Sequence, residues 1–366
     1  MVVLGLELFR VRQEAAVHGA TLEACTAEVL LRGSGCNADL GLQALSFGRA
    51  ADLLHRWTDA ELEELQWPPL AAAARADRER VADLAQHSSW PSAEAYVDAF
   101  DIVRCHALSS AGDGYWVVPA TASFPRSAPL GASLAREDGD LVLRSDGSGD
   151  GSITTISSGW RTNDELLLSE GWADESLQCD RVEMSEATLR RAADDVLGVT
   201  PPEKARQGAI LEGLRTLGYL PPTTAELGGA VLAGGLVSDE LGRHLQALSV
   251  TNVELGMFGE AGCVINIGEG VPLSCEHEER VGRVLCAACD SLLAGFATPL
   301  HADEEALEAE PEGDHASRRL QLSIRSRLSR KRCLAACRAS AAAWVERPTA
   351  TGTLRRPWKV NIKTSG

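Results

Sequence analysis

A change of texture near residue 180 limits the folds open to this chain more than any other feature. Before it, short runs of β type alternate with helical stretches. Tyr115-Trp116-Val117-Val118, Leu141-Val142-Leu143 and Ile153-Thr154-Thr155-Ile156 each read as a strand, and DGSGDGS at 146–152 is a turn on composition. From about residue 184, apolar residues recur at helical spacing nearly without interruption. They predict helices over 185–196, 202–216, 238–249, 277–296 and 316–344. Strands with helices first and helices alone afterwards make an α+β chain. The boundary falls at 179/180, giving a mixed unit over 1–179, a helical unit over 180–345 and a tail over 346–366. Pro348, Gly352 and Pro357 mark that tail as a loose or docking segment.

Within the first unit, residues 2–16 carry Val3, Leu4, Leu6, Leu8, Phe9 and Val11 and are expected to form a buried helix. Gly33, Gly35 and Gly41 break up 17–55. Thr58-Asp59 before AELEEL is a helix start with early acidic residues, and Ser92 opens AEAYVDAFDIVRCHAL, whose Tyr96, Phe100 and Val103 share a face. Another helix begins at Thr162-Asn163, and PEGD at 311–314 is a linker.

Charge and cysteine usage exclude some functions. The 366 residues hold 35 basic and 52 acidic side chains, a net charge of −17, which repels phosphate backbones and argues against a nucleic-acid partner. No apolar run is long enough to cross a bilayer, and MVVLGLELFRVRQEAA lacks the basic flank and cleavage pattern of a signal peptide. Ten cysteines scattered over this length fit reduced thiols in an intracellular compartment, cytoplasm or an organelle such as the plastid.

GSITTISSGWRTNDELLLSEGW, residues 151–172, is similar to the end of the SET domain in protein methyltransferases of the Rubisco large-subunit methyltransferase type. Gly151, Ile156, Ser157, Gly159, Asn163, Glu165, Leu166, Leu167, Leu168 and Gly171 keep that family's spacing, and Cys179-Asp180-Arg181-Val182 resembles the Asp-x-Val that follows. WTDAELEELQWPPL (57–70) and AYVDAFDIVRCHAL (95–108) resemble helices inserted in this SET type. KARQGAILEGL (204–214), LLAGFATPLHADEEAL (292–307) and SIRSRLSRKRCL (323–334) resemble parts of the family's helical substrate-binding domain. The resemblance implies a partial SET β-fold with inserted helices, followed by an all-α substrate-binding-type domain.

The departures fall on the positions to which the resemblance would assign work. The family's Ser-Arg pair at the S-adenosylmethionine site is matched by Cys105 and His106. Its Asp-x-x-Asn-His loop is matched by Ala122, Pro125 and Arg126. The strand tyrosine beside the methyl transfer is matched by Ser158, and the Tyr-Gly-Phe aromatics by Glu170 and Trp172. A serine hydroxyl falls several ångströms short of a phenol, and Glu170 would bring a carboxylate among aromatic walls, so this surface is expected to be open to water. The family's glycine-rich cofactor loop at the N-terminus is also expected to be missing. Methyl transfer depends on holding sulfonium and amine in line, so these changes strike the whole mechanism. No residue is therefore assigned to catalysis, cofactor binding or metal binding, and no cofactor is expected. The function expected is a degenerate, methyltransferase-like pseudoenzyme acting through protein binding, or as a subunit of a larger complex. The alternative is an active S-adenosylmethionine-dependent protein-lysine methyltransferase whose cofactor loop lies outside this chain.

Three other patterns have plainer readings. Cys275, His277, Cys286 and Cys289 have zinc-ligand spacings, but helical periodicity puts Cys286 and Cys289 on a buried face with Val284, Leu285 and Leu292. Asp146, Ser148, Asp150 and Gly151 match the front of a calcium loop but lack its terminal glutamate. The acidic run Asp303, Glu304, Glu305, Glu308, Glu310, Glu312, Asp314 and the basic residues Arg318, Arg319, Arg325, Arg327, Arg330, Lys331 and Arg332 read as complementary, solvated faces, with a partner groove as the alternative.

Overall fold

The computed structural model describes residues 8–11, 17–19, 25–26, 50–88, 90, 92–110, 114–118, 121, 124–128, 131–137, 140–144, 155–222, 227–309 and 315–346. The chain divides into two compact units, one of Met1–Cys179 with Asp303–Arg327, the other of Asp180–Ala302 with Leu328–Gly366.

The first unit runs β1 (Leu8–Val11), β2 (Val17–Gly19), α1 (Asp59–Glu63), α2 (Pro68–His87), α3 (Ala93–His106), β3 (Ala107–Ser110), β4 (Gly114–Val117), β5 (Arg126–Ser127), β6 (Ser133–Glu137), β7 (Asp140–Arg144), β8 (Ile156–Ser157) and α4 (Asn163–Glu170). Its strands form antiparallel sheets in the orders β1-β7-β6 and β2-β4-β3, and a parallel pair β5-β8. Cross-strand pairing sets Leu108 against Trp116 and Leu134 against Leu143. These four bury together with Val118, Ala132 and Ile156 as one apolar cluster.

Residues 8–11 form a strand, not the expected helix: Phe9 lies opposite Leu143 and Val11 opposite Leu141. Leu8, Phe9 and Val11 suit a half-buried pleated surface as well as a helix, and a strand far along the chain decides between them. The rest of 2–16 lies outside the described residues, as do the expected linker at 311–314, Gly33, Gly35 and Gly41, and the calcium-like loop from Asp146 to Gly151.

The helix starts follow their sequence signals. Thr58 and Glu61 form a capping box on α1, Ser92 caps α3 through Ala95, and Thr162 with Glu165 forms a second box on α4. Leu54, Trp57, Leu62, Leu65, Leu70 and Leu167 make the helical core, and Leu322 packs into it.

The second unit contains β9 (Arg181–Ser185), α5 (Glu186–Leu197), α6 (Pro201–Thr216), β10 (Leu227–Leu232), β11 (Leu236–Val237), α7 (Asp239–Leu248), α8 (Asn252–Gly268) and α9 (Cys275–Ala294). Then come α10 (Leu300–Ala309) and α11 (His315–Val345), of which Asp303–Arg327 belong to the first unit. The five expected helices correspond to α5, α6, α7, α9 and α11. Helical periodicity did not reveal the antiparallel sheet β11-β10-β9, in which Val231 lies opposite both Val182 and Val237. Its central strand carries Gly229 at φ +116°, where a Cβ would come within 2.3 Å of the Leu241 amide. The glycines that permit this approach also mask the strand pattern.

The basic residues of α11 meet specific acids. Within the first unit, Arg318 pairs with Asp52 at 2.7 Å, Arg319 with Glu61 at 2.9 Å and Arg325 with Glu175 at 2.8 Å. Arg327 forks onto Asp303, at 2.7 and 3.2 Å, and also donates to the Glu64 carbonyl. Arg327 and Asp303 are 4% and 1% exposed, so this part of the charge run is buried, against the expectation of a solvated face. Within the second unit, the Lys331 ammonium donates to the Thr298 carbonyl at 2.6 Å and lies 4.9 Å from the Phe296 ring centre. Two of the segments matched to the substrate-binding domain, 292–307 and 323–334, are therefore joined through Arg327 with Asp303 and Lys331 with Thr298.

Breaking a buried ion pair leaves an uncompensated charge, which costs about 3 kcal/mol or more. Arg327→Ala should cost that much in urea denaturation, and Arg325→Ala, half-exposed, under about 1 kcal/mol. Equal losses would contradict this assignment.

Glu254 ties α8 to α9. Its carboxylate accepts the Thr251 amide at 3.0 Å, the Thr251 hydroxyl, Ser274 at 3.2 Å and Arg280 at 2.5 Å. Burial works against ionisation, but Thr251 and Arg280 outweigh it and hold this carboxyl down at about 2. A depressed carboxyl contributes stability that is present above its unfolded value, near 4.5, and is lost as pH falls through the folded one. Stability should therefore drop between about pH 4.5 and 2, and the slope should flatten in Glu254→Gln. Identical acid-unfolding profiles of variant and wild type would rule this out.

Candidate functional site

In the first unit, side chains from β5, the segment after β8 and the turn after α4 converge on the carboxylate of Glu170. This residue ends α4, and Gly171 follows it in the left-handed conformation at φ 69°, which turns the chain so that Trp172 can reach back. Glu170 Oε2 accepts the Ser158 hydroxyl at 2.7 Å and the Trp172 indole N–H at 3.0 Å, and Oε1 accepts Arg161 Nη1 at 3.2 Å. Arg126 Nε lies 3.9 Å from the same carboxylate, and Arg126 Nη2 donates to the Cys105 carbonyl in the last turn of α3 at 3.1 Å. Arg126 and Glu170 are 4% and 6% exposed at their side chains.

Five of the positions singled out in the sequence, Cys105, Arg126, Ser158, Glu170 and Trp172, are thus brought into one hydrogen-bonded group. His106 is buried beside Cys105 at the end of α3, Pro125 precedes β5, and Ala122 lies outside the described residues. The expectation that Glu170 would face water is overturned. The carboxylate is buried because three hydrogen-bond donors and the Arg126 guanidinium meet it, none of them foreseen, since Arg126 is matched to a family histidine and Arg161 to no working position.

The parallel pair β5-β8 holds this geometry. Arg126 is in register with Ile156 and Ser127 with Ser157, and Gly131 passes so close that a Cβ would sit 2.8 Å from the Ser157 amide. Asn163 fixes the loop after α4, donating to the Asp174 carbonyl at 2.9 Å and accepting its amide at 2.8 Å. Within the group the Ser158 proton is given to Glu170. The Cys105 thiol is pushed well above its ordinary range, by burial first and then by the Asp101 and Glu170 charges, so it is no thiolate nucleophile.

A neighbouring polar cluster escaped the sequence reading. His55 Nε2 donates to the Asp101 carboxylate at 3.1 Å, and its other nitrogen lies 3.6 Å from Asp77, which also takes Arg104 at 2.6 Å. Burial opposes ionisation of Asp77, but Arg104 and Arg80 hold its carboxyl below the ordinary value. Asp77 on α2 and Asp101 on α3 lie far apart in sequence, and only the packing of the two helices brings them to one histidine.

The zinc-like quartet is dispersed into packing. His277 Nε2 lies 2.9 Å from the Gln246 carbonyl, Cys286 Sγ points to the Arg338 carbonyl, and Cys289 is buried with Val284 and Leu285. Among the described residues no three histidine, cysteine or carboxylate side chains are grouped to hold a metal, and no helix is long and apolar enough to cross a membrane.

Residues 238–334 match the family described as Rubisco LSMT substrate-binding. The fold is that of Rubisco large-subunit methyltransferase. A structure of Rubisco LSMT bound to AdoMet is similar at a TM-score of 0.57 and 18% identity, over 88% of this chain and 75% of that one. The SET domain of LSMT bound to lysine and AdoHcy is similar at 0.56 and 17% identity, over 92% and 81%. Rubisco LSMT bound to sinefungin and monomethyllysine gives the same figures. No curated protein matches the chain by sequence. At these identities the likeness is one of fold.

If Glu170 and Arg126 act as a unit, Glu170→Leu strands a buried guanidinium and should cost about 3 kcal/mol. The double change Arg126→Met with Glu170→Leu should return to within about 1 kcal/mol of wild type, since an apolar pair can replace a buried ionic one. A double variant as unstable as the summed single ones would show that the two residues are independent.

Proposed function

We propose that this chain, built on the SET-type fold of Rubisco large-subunit methyltransferase, is catalytically silent and works by binding a protein. One observation carries the reading: the positions that the resemblance matches to cofactor and methyl-transfer residues are occupied by a network of the chain's own side chains centred on the buried carboxylate of Glu170. Arg126, Ser158, Glu170 and Trp172 hold one another at 2.7–3.9 Å, so their polar groups are committed before any ligand arrives. These residues do not fit an S-adenosylmethionine site. A guanidinium stands at the position matched to the family's histidine, where its charge opposes a sulfonium. Ser158, at the position of the tyrosine, turns its hydroxyl to a carboxylate. A methyl group has to be held in line with an amine for transfer, and nothing in this arrangement is left to do so.

Protein binding rests on the match of residues 238–334 to a substrate-binding family and on the integrity of that part of the chain. The residues shared with that family in 292–307 and 323–334 are engaged in structural contacts, Arg327 with Asp303 and Lys331 with Thr298. The scaffold for a protein partner is kept while the pocket is filled. The net charge of −17 suits a basic partner and disfavours nucleic acid.

Titration calorimetry of the full chain with S-adenosylmethionine tests the reading. No saturable heat is expected up to roughly millimolar ligand, a ceiling of about 4 kcal/mol of binding free energy. Saturable micromolar binding overturns it and favours an active methyltransferase.

A further inference from the structure

In the second unit, α8 packs one side against α6 and α7 and leaves the other bare. Cys263, Val264 and Ile267 are buried, and Gly213 of α6 lies so close that a Cβ there would meet Val264 at 2.9 Å. Val253 is 66% exposed, Met257 57%, Phe258 39% and Ile265 54%, with Leu217 at the end of α6 and Val271 just past α8 also exposed. Gly259, at φ 66° and ψ 171°, interrupts the helix between Phe258 and Ile265. These are the chain's exposed large apolar side chains apart from Trp160, among the described residues. Such a concentration is a mark of an interaction surface.

The charge around it is of one sign. From His244 to Glu279 the sequence contains no lysine or arginine, but it contains Glu254, Glu260, Glu269, Glu276, Glu278 and Glu279. Glu260, Glu269 and Glu276 are exposed, as is Glu212 on α6. An occupant of this face therefore has to be apolar and basic at once.

The same chain carries such a segment. Beyond Glu346, the last residue described, residues 347–366 contain Arg347, Arg355, Arg356, Lys359 and Lys363 and no acid. Within them Trp358, Val360 and Ile362 alternate with Lys359, Asn361 and Lys363, the two-residue period that puts apolar groups on one side of an extended strand and cations on the other. Reach is sufficient: this length of extended chain spans about 66 Å. A compact unit of about 140 residues measures roughly 60 Å around half its circumference. Tethering also raises the local concentration of the segment to about the millimolar range.

We propose that residues 354–363 dock on the exposed face of α8. Trp358, Val360 and Ile362 cover Met257, Phe258 and Ile265, and Arg355, Arg356 and Lys359 meet the glutamates around them. The α8 face is thereby a site for basic, alternately apolar peptide, occupied in the isolated chain by its own residues 354–363. This inference stands independently of whether the Glu170 site binds a cofactor.

Hydrogen exchange on the full-length chain tests it. In Arg355→Glu/Arg356→Glu/Trp358→Ser the amides of 253–267 should exchange at least about tenfold faster than in wild type, by loss of the protection that an occupied site confers. The melting temperature of the variant and its mass in solution should both match those of wild type. A synthetic peptide of residues 351–366 added to that variant should restore protection saturably, and Met257→Ser/Ile265→Ser should abolish the restoration. Equal exchange in wild type and tail variant overturns the proposal. So does protection that falls on dilution together with a dimer mass, which would make a second copy the occupant.

Discussion

A carboxylate removed from water has to be met by donors, and in the first unit the Glu170 carboxylate sets that requirement. Ser158, Trp172, Arg161 and Arg126 answer it from three separate stretches of the chain. For those donors to arrive together, β5 must lie parallel to β8, α3 must end against β5, and the chain must reverse at Gly171. The small parallel pair, the helix termini and the left-handed glycine are therefore one arrangement seen from different sides. The proposed loss of catalysis rests on this arrangement, in which the polar groups answer one another rather than a sulfonium or an amine.

The same principle recurs along α11. Arg327 is received by Asp303 and the Glu64 carbonyl, and Lys331 by Thr298 and the Phe296 ring. Buried cations with one good geometry each act as keys for where a helix may sit. They explain why the segments around 292–307 and 323–334 keep a recognisable pattern without implying that those side chains touch a partner. A binding surface in the second unit has to be sought among exposed side chains, and the apolar, acid-rimmed face of α8 is where they gather.

Much of this was legible in the sequence, and the limits have physical causes. Helix starts could be read from Thr58, Ser92 and Thr162 because caps are local chemistry. The long amphipathic helices could be read because their period is sustained. The strand at 8–11 and the sheet of β9, β10 and β11 could not, since their pairing partners are remote and glycines dilute the alternation at 228–229. At the site, the sequence identified which positions had changed type but not what they changed into. Glu170 alone looks like an unpaired charge, and only its neighbours make it the centre of a network. His55 with Asp77 and Asp101 is a further case, invisible until two helices pack.

The central claim is that the chain's own side chains fill the position that a cofactor takes in proteins of this fold. A crystal structure grown in millimolar S-adenosylhomocysteine would test it most directly. The account predicts Glu170 still bonded to Ser158 and Trp172, Arg126 still on the Cys105 carbonyl, and no ligand density between α3 and β8. A bound nucleoside there, with Glu170 or Arg126 swung aside, would contradict it.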